Sequence, residues 1–599
     1  MSILNTAPTP PVPLLDTETI AFPADTKAGA EATATSPTLL LGFSQSGASN
    51  RPPQSGADDP DHHDPHASKT LWQCVSLYSP SIFWSMIFSA SLIMEGYSLA
   101  LVPSLFAQPS FQKKFGEPLT APQIGYDVSA GWKTGLNVGP IIGELIGLFL
   151  NGICCDRYGY KKTMFVFMGF MAGFNLITFF AGDVKVLFAS QLLSGIPWGV
   201  FQAMAPAYSS EICHTSIRPY VTNFVNFCWL FGQLAASIVL RCFVNYDGQW
   251  AYRIPFAIQW AFPVPIMILV IFAPESPWFL LRQNRDQDAV KSLRRLASKE
   301  YTTADAQRTL EYYKRTDEIE KLASAGTAYK DCFTGTDCRR TEISAMVWVA
   351  QSLVGSALMA SSTYFYTQAG VDTETAYNLT LGGYGAGMAG TIASWVITGY
   401  VGRRKLYVCG SSILGLLLLT IGCSAFSDSK AAHWTTCTLL IAYTLVYNLT
   451  IGPTCYTLIS EISSTRLKAK TVVIARGWYN VGAILVNILA NYQLTPKASG
   501  GWGWAAKTGF FYAGTCLLMV IWQFFRLPEP KDRDYAELDI LFEHKISARK
   551  FASTMVDVSR NAIVPGQRRS SREKDRSAAP VAPVELENVD KNVAVSSSG

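Results

Sequence analysis

About twelve apolar runs, each close to twenty residues long, follow one another along this chain, and nothing else in the sequence restricts its fold as much. They lie near 80–106, 128–152, 163–181, 185–209, 220–240, 251–273, 342–366, 378–400, 405–426, 433–457, 469–491 and 507–527. A helix of ~20 apolar residues crosses the hydrocarbon core of a bilayer and satisfies its own backbone amides there. Only 16% of the 599 residues are charged, against about a quarter in a soluble chain. Trp and Tyr gather at the ends of the runs, as in a membrane-interface belt. The expectation is an all-α polytopic membrane protein with 12 transmembrane helices.

The gaps between runs alternate in charge. One set carries Arg157, Lys161, Lys162, Arg218, the basic 274–340 stretch, Arg403, Arg404, Lys405, Arg466, Lys468 and Lys470, and the other set is poor in Lys and Arg. Because basic loops stay inside, both termini are expected in the cytoplasm. Asn378 then falls at an outer edge, within a glycan acceptor sequence. The layout that follows is a disordered cytoplasmic tail over 1–75 and a six-helix bundle over 76–273. A linker with short helices over 274–340, a second bundle over 341–527 and a tail over 528–599, mostly disordered after 552, complete it. A net charge of +5 suggests no nucleic-acid partner. The thirteen cysteines follow no metal or disulfide spacing. The Asp61–His66 cluster sits in a tail with no fixed second shell, so no metal site is expected.

Phrases recur about 250 residues apart. Asp156–Lys162 answers Gly402–Lys405, Ser210–Ile212 answers Ser460–Ile462, and Pro274–Ser276 answers Pro528–Pro530. Two repeated six-helix halves are the architecture of an alternating-access carrier. Gly139, Gly143 and Gly147 in the second run, and Gly383 and Gly387 in the eighth, offer smooth faces for close helix packing or sliding.

Four charges fall inside the runs, away from their terminal residues: Glu95, Lys133, Glu144 and Arg476. At about 1.5 Å per residue, Glu95 lies roughly 21 Å beyond Ser81. A carboxylate at that depth costs at least ~2.5 kcal/mol and needs a polar interior or a partner. Lys133 is near the outer end and can snorkel. Arg476 can snorkel inward or pair with Glu95 across a cavity.

DRYGYKK at Asp156, GIPWGVFQ at Gly195, PESPW at Pro274, VGRRK at Val401 and PEPKDRDYAELDILF at Pro528 resemble the sugar porter family of the major facilitator superfamily. MEGY at Met94, FVNFCWLFGQL at Phe224, RIPFAIQWAFPVP at Arg253, SSTYFYTQAG at Ser361 and GPTCYTLISEISSTRLKAKTVVIAR at Gly452 are similar to its fungal maltose and general α-glucoside permease branch. The resemblance runs from about residue 70 to 552 and implies two six-helix bundles.

It also implies roles. Glu211 would meet Arg218, and Glu461 would meet Lys468, in a cytoplasmic gate that Asp156, Arg157, Glu275, Arg403 and Arg404 complete. Lys468 stands where the family usually has Arg and cannot form the same two-pronged pair. Glu144 belongs to a family phrase near that gate. Asn226, Gln351, Tyr456, Tyr479 and Asn480 match positions that contact sugar, where amides and hydroxyls replace lost water and aromatic faces meet C–H surface. The same polar side chains also serve as helix–helix glue. Glu95 and Arg476 match residues implicated in proton coupling, but the second acid of the family's MEGYD phrase is Ser98 here.

The expected function is a secondary active, proton-coupled importer of α-glucosides, working as a monomer in the fungal plasma membrane with sugar, protons and the bilayer as its partners. No nucleotide-binding glycine loop is present, no cofactor is implied, and the chain is not an enzyme. A facilitative carrier or metabolite exporter of the same fold, and a sugar sensor without turnover, are the alternatives.

Overall fold

The computed structural model of the chain describes residues 71–118, 125–214, 217–246, 248–324, 328–427, 429–464, 467–531, 533, 535–557 and 562–568. The tail up to residue 70, with its histidines, and Arg466 lie outside them. The described residues are almost wholly helical, and ten segments are long and apolar enough to cross a membrane.

Twelve spans can be followed. The first six are Ser79–Leu105, Ala130–Tyr158, Tyr160–Phe180, Val184–Ile212, Arg218–Phe243 and the pair Trp250–Ile258 with Pro263–Phe272. After the linker come Gly335–Leu353 with its continuation to Gln368, Thr373–Tyr400, Arg403–Ser424, Lys430–Leu449 with Ile451–Ile462, Lys468–Leu494 and Thr508–Arg526. The seventh and eighth are the two that apolar length alone does not identify. The seventh breaks after Leu353, where Gly355 takes φ +99°, a left-handed turn that glycine adopts without strain. The eighth is a single 28-residue helix rich in Gly and Thr. The tenth is interrupted at Thr450, three residues before Pro453, whose ring cannot donate to the carbonyl one turn back.

Packing repeats with a period of six spans. The first lies against the fifth, the second against the fourth and the third against the sixth; in the second half the seventh meets the eleventh, the eighth the tenth and the ninth the twelfth. Across the halves, the second span touches the eleventh and the fifth touches the eighth. The glycine face of the second span is a packing notch. An added Cβ at Gly143 would sit 2.2 Å from the Leu192 carbonyl oxygen, and one at Gly195 2.1 Å from that of Pro140. Between the first and fifth spans, Gly96 and Gly232 make the same kind of contact, each position 2.0 Å from a carbonyl of the other helix.

Between the halves lie helices Pro277–Arg282, Asp286–Leu296 and Thr303–Ser324. Leu280, Leu281, Ala289 and Leu293 form their apolar core. Hydrogen bonds from Ser81 to the Leu296 carbonyl, 2.6 Å, and from the Ser298 amide to Leu77, 2.7 Å, tie this layer to the first span. Two departures concern the tails. A short helix, Leu71–Leu77, already precedes the first span. Beyond 552, where little order is expected, Thr554–Asp557 pairs antiparallel with Ala562–Arg568. Arg533 anchors that turn by donating to the carbonyls of Phe551 and Thr554. All thirteen cysteines are free; Cys242 is exposed and Cys437 buried.

Candidate functional site

Glu95 is 1% exposed in the middle of the first span. Its Oε1 accepts a hydrogen bond from Nε2 of Gln202 on the fourth span. The oxygen of the same Gln202 amide accepts from the guanidinium of Arg476 on the eleventh span. Glu95 and Arg476 are therefore joined through Gln202, which belongs to the first half while Arg476 belongs to the second. Oε2 of Glu95 is buried with the Trp229 side chain beside the carboxyl, and among the described residues the buried Ser98 hydroxyl, one turn further on, has no hydrogen-bond partner. Glu144, 3% exposed on the second span, interacts with Gln202 and Arg476 as well. Its place is this centre, not the cytoplasmic gate, because the Gly143 notch draws the second span onto the fourth at this level.

Arg476 also lies over two aromatic rings, 4.6 Å from the centroid of Trp348 and 4.4 Å from that of Tyr479. Such contacts hold a cation without neutralising it. Trp348 in turn packs edge-on to Tyr456 at 4.9 Å and to Tyr479 at 5.2 Å. Tyr456 is 41% exposed, Tyr479 is half-buried and Trp348 is buried beneath them. Gln351, one helical turn after Trp348, is buried, and its amide donates to the Gly452 carbonyl at 3.2 Å. In this conformation it joins the seventh span to the tenth. Asn480 is fully buried, and among the described residues neither of its amide atoms has a hydrogen-bond partner. Asn226, on the fifth span, is half-buried with Nδ2 unpartnered. Of the five expected sugar contacts, the structure thus groups Tyr456 and Tyr479, and adds Trp348.

On the linker face, Glu211 accepts from the Tyr160 hydroxyl at 2.9 Å and from Ser276, with Arg282 at 3.9 Å. Glu461 pairs with Arg403 at 3.1 Å. The ion pairs seen here are therefore Arg282 with Glu211 and Arg403 with Glu461; pairing of Glu211 with Arg218 and of Glu461 with Lys468 is an expectation from the sequence. Asp156 and Arg157 point outward, Arg157 lying over the Tyr158 ring at 5.6 Å. Glu275 receives the backbone amides of Tyr160 at 2.9 Å, Lys161 at 3.3 Å and Ser276 at 3.2 Å. It caps the first turn of the third span, where the helix dipole favours an anion. Burial pushes its carboxyl above the ordinary range, and the amide donors oppose that rise. Glu529 repeats the arrangement on the ninth span by accepting from the Arg404 amide at 3.2 Å, while the Arg404 side chain donates to the Phe524 carbonyl.

The opposite face carries hydrogen bonds that cross between the halves. Lys133, expected to snorkel, is fully buried: it pairs with Asp127 at 2.8 Å and donates to the Tyr364 hydroxyl at 2.6 Å. Asp127 also accepts from Ser499 at 2.8 Å. Asn137 donates to Asn491 at 3.1 Å, Tyr377 to the Ser104 carbonyl at 2.7 Å, and Arg241 to Glu374 and Asn378. Asn378 is exposed there. The halves are closed against each other on this face.

Gln202, Glu144, Trp348, Arg282 and Glu529 were not singled out for these places. Gln202 ends the quoted GIPWGVFQ phrase and Glu529 lies in PEPKD, so both were in view; Trp348 had only its one-turn spacing from Gln351 as a signal.

Comparison with known proteins gives the same architecture. The sequence profile of the family described as sugar (and other) transporter matches residues 84–542. The general alpha-glucoside permease of Saccharomyces cerevisiae is 38% identical over 495 residues, covering 82% of this chain and 80% of that one. Maltose permease MAL31 of the same species is 37% identical over 493 residues, covering 81% and 80%. Among solved structures, the xylose transporter XylE from E. coli in a partially occluded inward-open conformation superposes with a TM-score of 0.63 at 17% identity, over 76% of this chain and 99% of that one. The same transporter described as a proton:xylose symporter bound to 6-bromo-6-deoxy-D-glucose gives 0.62 at 19% identity, over 78% and 100%.

Proposed function

Because the chain belongs to the sugar (and other) transporter family, we propose that it imports α-glucosides such as maltose together with protons, across a fungal plasma membrane and with both termini in the cytoplasm. It is a multi-pass membrane sugar transporter of the major facilitator superfamily and not an enzyme. The finer reading rests above all on one observation, the buried Glu95–Gln202–Arg476 chain that links the halves. Alternating access needs a group whose charge state alters how the two halves hold each other, and carriers keep coupling sites at the repeat interface near the bilayer midplane. The buried Glu95 carboxyl is the seat for the transported proton in this reading. A neutral carboxyl tolerates that burial far better than a carboxylate does. With the proton gone, the carboxylate would draw on the Gln202 amide and, through it, on Arg476. Trp348, Tyr456 and Tyr479 supply the aromatic faces that a pyranose ring stacks on, and Asn226 and Asn480 the unsatisfied amides that its hydroxyls need.

Uptake of labelled maltose, glucose and trehalose into reconstituted vesicles tests this directly. Maltose should accumulate against its gradient only when an inward proton gradient is imposed. Glu95→Gln should abolish that accumulation and leave downhill exchange of sugar across the vesicle membrane. Equal accumulation by wild type and Glu95→Gln would remove Glu95 from coupling. A second reading, facilitated diffusion, is favoured by Ser98 standing one turn from Glu95 where the branch phrase has an acid. Sugar equilibration that ignores the proton gradient would select it.

A further inference from the structure

On the linker face, the end of the twelfth span, the first turn of the helix Gly335–Leu353 and the segment after Glu543 enclose a cavity of about 410 Å³. Arg339, Arg526 and Lys545 line it together with Phe525, Ser547 and Gly335, and no acidic residue is in its wall. Arg526 is paired with Glu342, the one acid beside these three cations whose ion pair is seen among the described residues. Arg339 has one guanidinium nitrogen on the Ile546 carbonyl at 3.0 Å, while its Nε is buried without a partner. Lys545 extends from an exposed backbone position with φ +52°. Gly335 and Thr336, in the first turn of Gly335–Leu353, are part of the lining, and Thr334 gives that helix no side-chain cap. From the mouth of the cavity a strip of exposed apolar side chains runs up the twelfth span: Phe524, Ile521, Leu518 and Leu517, between 45% and 67% exposed.

A basic recess at the membrane boundary, continuous with an apolar strip along a spanning helix, has the two-part chemistry of a phospholipid. We propose that this cavity binds the headgroup phosphate of an anionic glycerophospholipid of the cytoplasmic leaflet, with an acyl chain lying along Leu517, Leu518, Ile521 and Phe524. The phosphate oxygens accept from the Arg339 guanidinium and Lys545, and the negative leaflet adds its own attraction for these cations. The site is separate from the Glu95 centre and does not depend on which sugar is carried. It ties the start of the seventh span, the end of the twelfth and the C-terminal segment to the bilayer.

The purified full chain in detergent tests the proposal through its unfolding temperature and through titration with short-chain lipids. Dioctanoyl phosphatidylserine should raise Tm by several degrees, and dioctanoyl phosphatidylcholine should not. Lys545→Gln, at an exposed position, should weaken phosphatidylserine binding about fivefold, the equivalent of ~1 kcal/mol for one cation near an anionic surface. Arg339→Gln should weaken it further. Equal shifts with both lipids, or an unchanged titration in Lys545→Gln, would overturn the site. A shift reproduced in full by inorganic phosphate alone would overturn the lipid and leave a free-phosphate site.

Discussion

Gln202 carries on one amide both polarities that its charged neighbours require: the N–H group meets the Glu95 carboxylate and the oxygen meets the Arg476 guanidinium. A carboxylate or an amine at this position could serve only one of them. Hydrogen bonds to charged groups contribute about 1.5–3 kcal/mol each, so Gln202→Met, of similar length without either polarity, should lower proton-driven uptake by at least about tenfold. Downhill exchange should fall less, because Met does not narrow the cavity, and a variant with both activities intact would show that the amide is incidental. The importance of Gln202 was not legible beforehand. A lone amide in an apolar helix is ordinary, and its partners lie 107 and 274 residues away. Glu95 and Arg476 were legible because a charge deep in a membrane run always needs an explanation. Glu144 satisfied the same criterion, but its neighbours follow from a helix crossing that no local pattern reveals.

Among the elements, the third and ninth spans show how the repeat is built. Each begins beside a glycine, and each first turn is capped by a glutamate from the segment that follows the last span of its half, Glu275 or Glu529. An added Cβ at Gly402 would lie 2.2 Å from a Glu529 carboxylate oxygen, and one at Gly159 2.7 Å from that of Glu275. Gly402→Val should therefore expel the cap and lower the thermal stability of the purified carrier by an amount expected for overpacking, about 1–3 kcal/mol. Glu529→Gln keeps the shape and loses the charge; its cost should stay below ~1 kcal/mol, in keeping with a helix-terminus interaction. Thermal unfolding of the two variants side by side checks this order, and the reverse order would refute the steric account. At this scale the sequence was most informative. Runs of ~20 apolar residues marked the spans, and matching phrases 250 residues apart marked the repeat. The breaks in the seventh and tenth spans and the caps were hidden, since both depend on one Gly, one Pro or one Glu meeting a distant helix. The strand pair after 552 was hidden for a similar reason, because it is held by Arg533 and not by any alternation of its own.

For the whole molecule, the question is what holds the two halves closed on the face away from the linker. Lys133 and Asp127 form a buried ion pair there, with side chains 0% and 7% exposed, and both touch the second half, through Tyr364 and Ser499 respectively. The surrounding contacts, Asn137 with Asn491 and Tyr377 with Ser104, join the same two halves. In the alternating-access cycle proposed above, opening that face would let water replace these partners, so the pair's environment would differ sharply between the two states. Replacing Lys133 by Met leaves Asp127 as an uncompensated buried charge, which costs about 3–5 kcal/mol. That penalty falls on the closed state alone, because in the open state Asp127 is hydrated. A bias of ~3 kcal/mol shifts a two-state equilibrium by more than about a hundredfold, enough to turn a closed population of 99:1 into near parity. Spin labels on the far-face loops of the two halves, in a background without reactive cysteines, should then report a second, longer distance in Lys133→Met that the wild type lacks. Asp127→Asn combined with Lys133→Met removes the stranded charge and should restore most of the short-distance population. If Lys133→Met leaves the distance distribution unchanged, the ion pair stabilises its own half and the closure rests on the uncharged contacts around it.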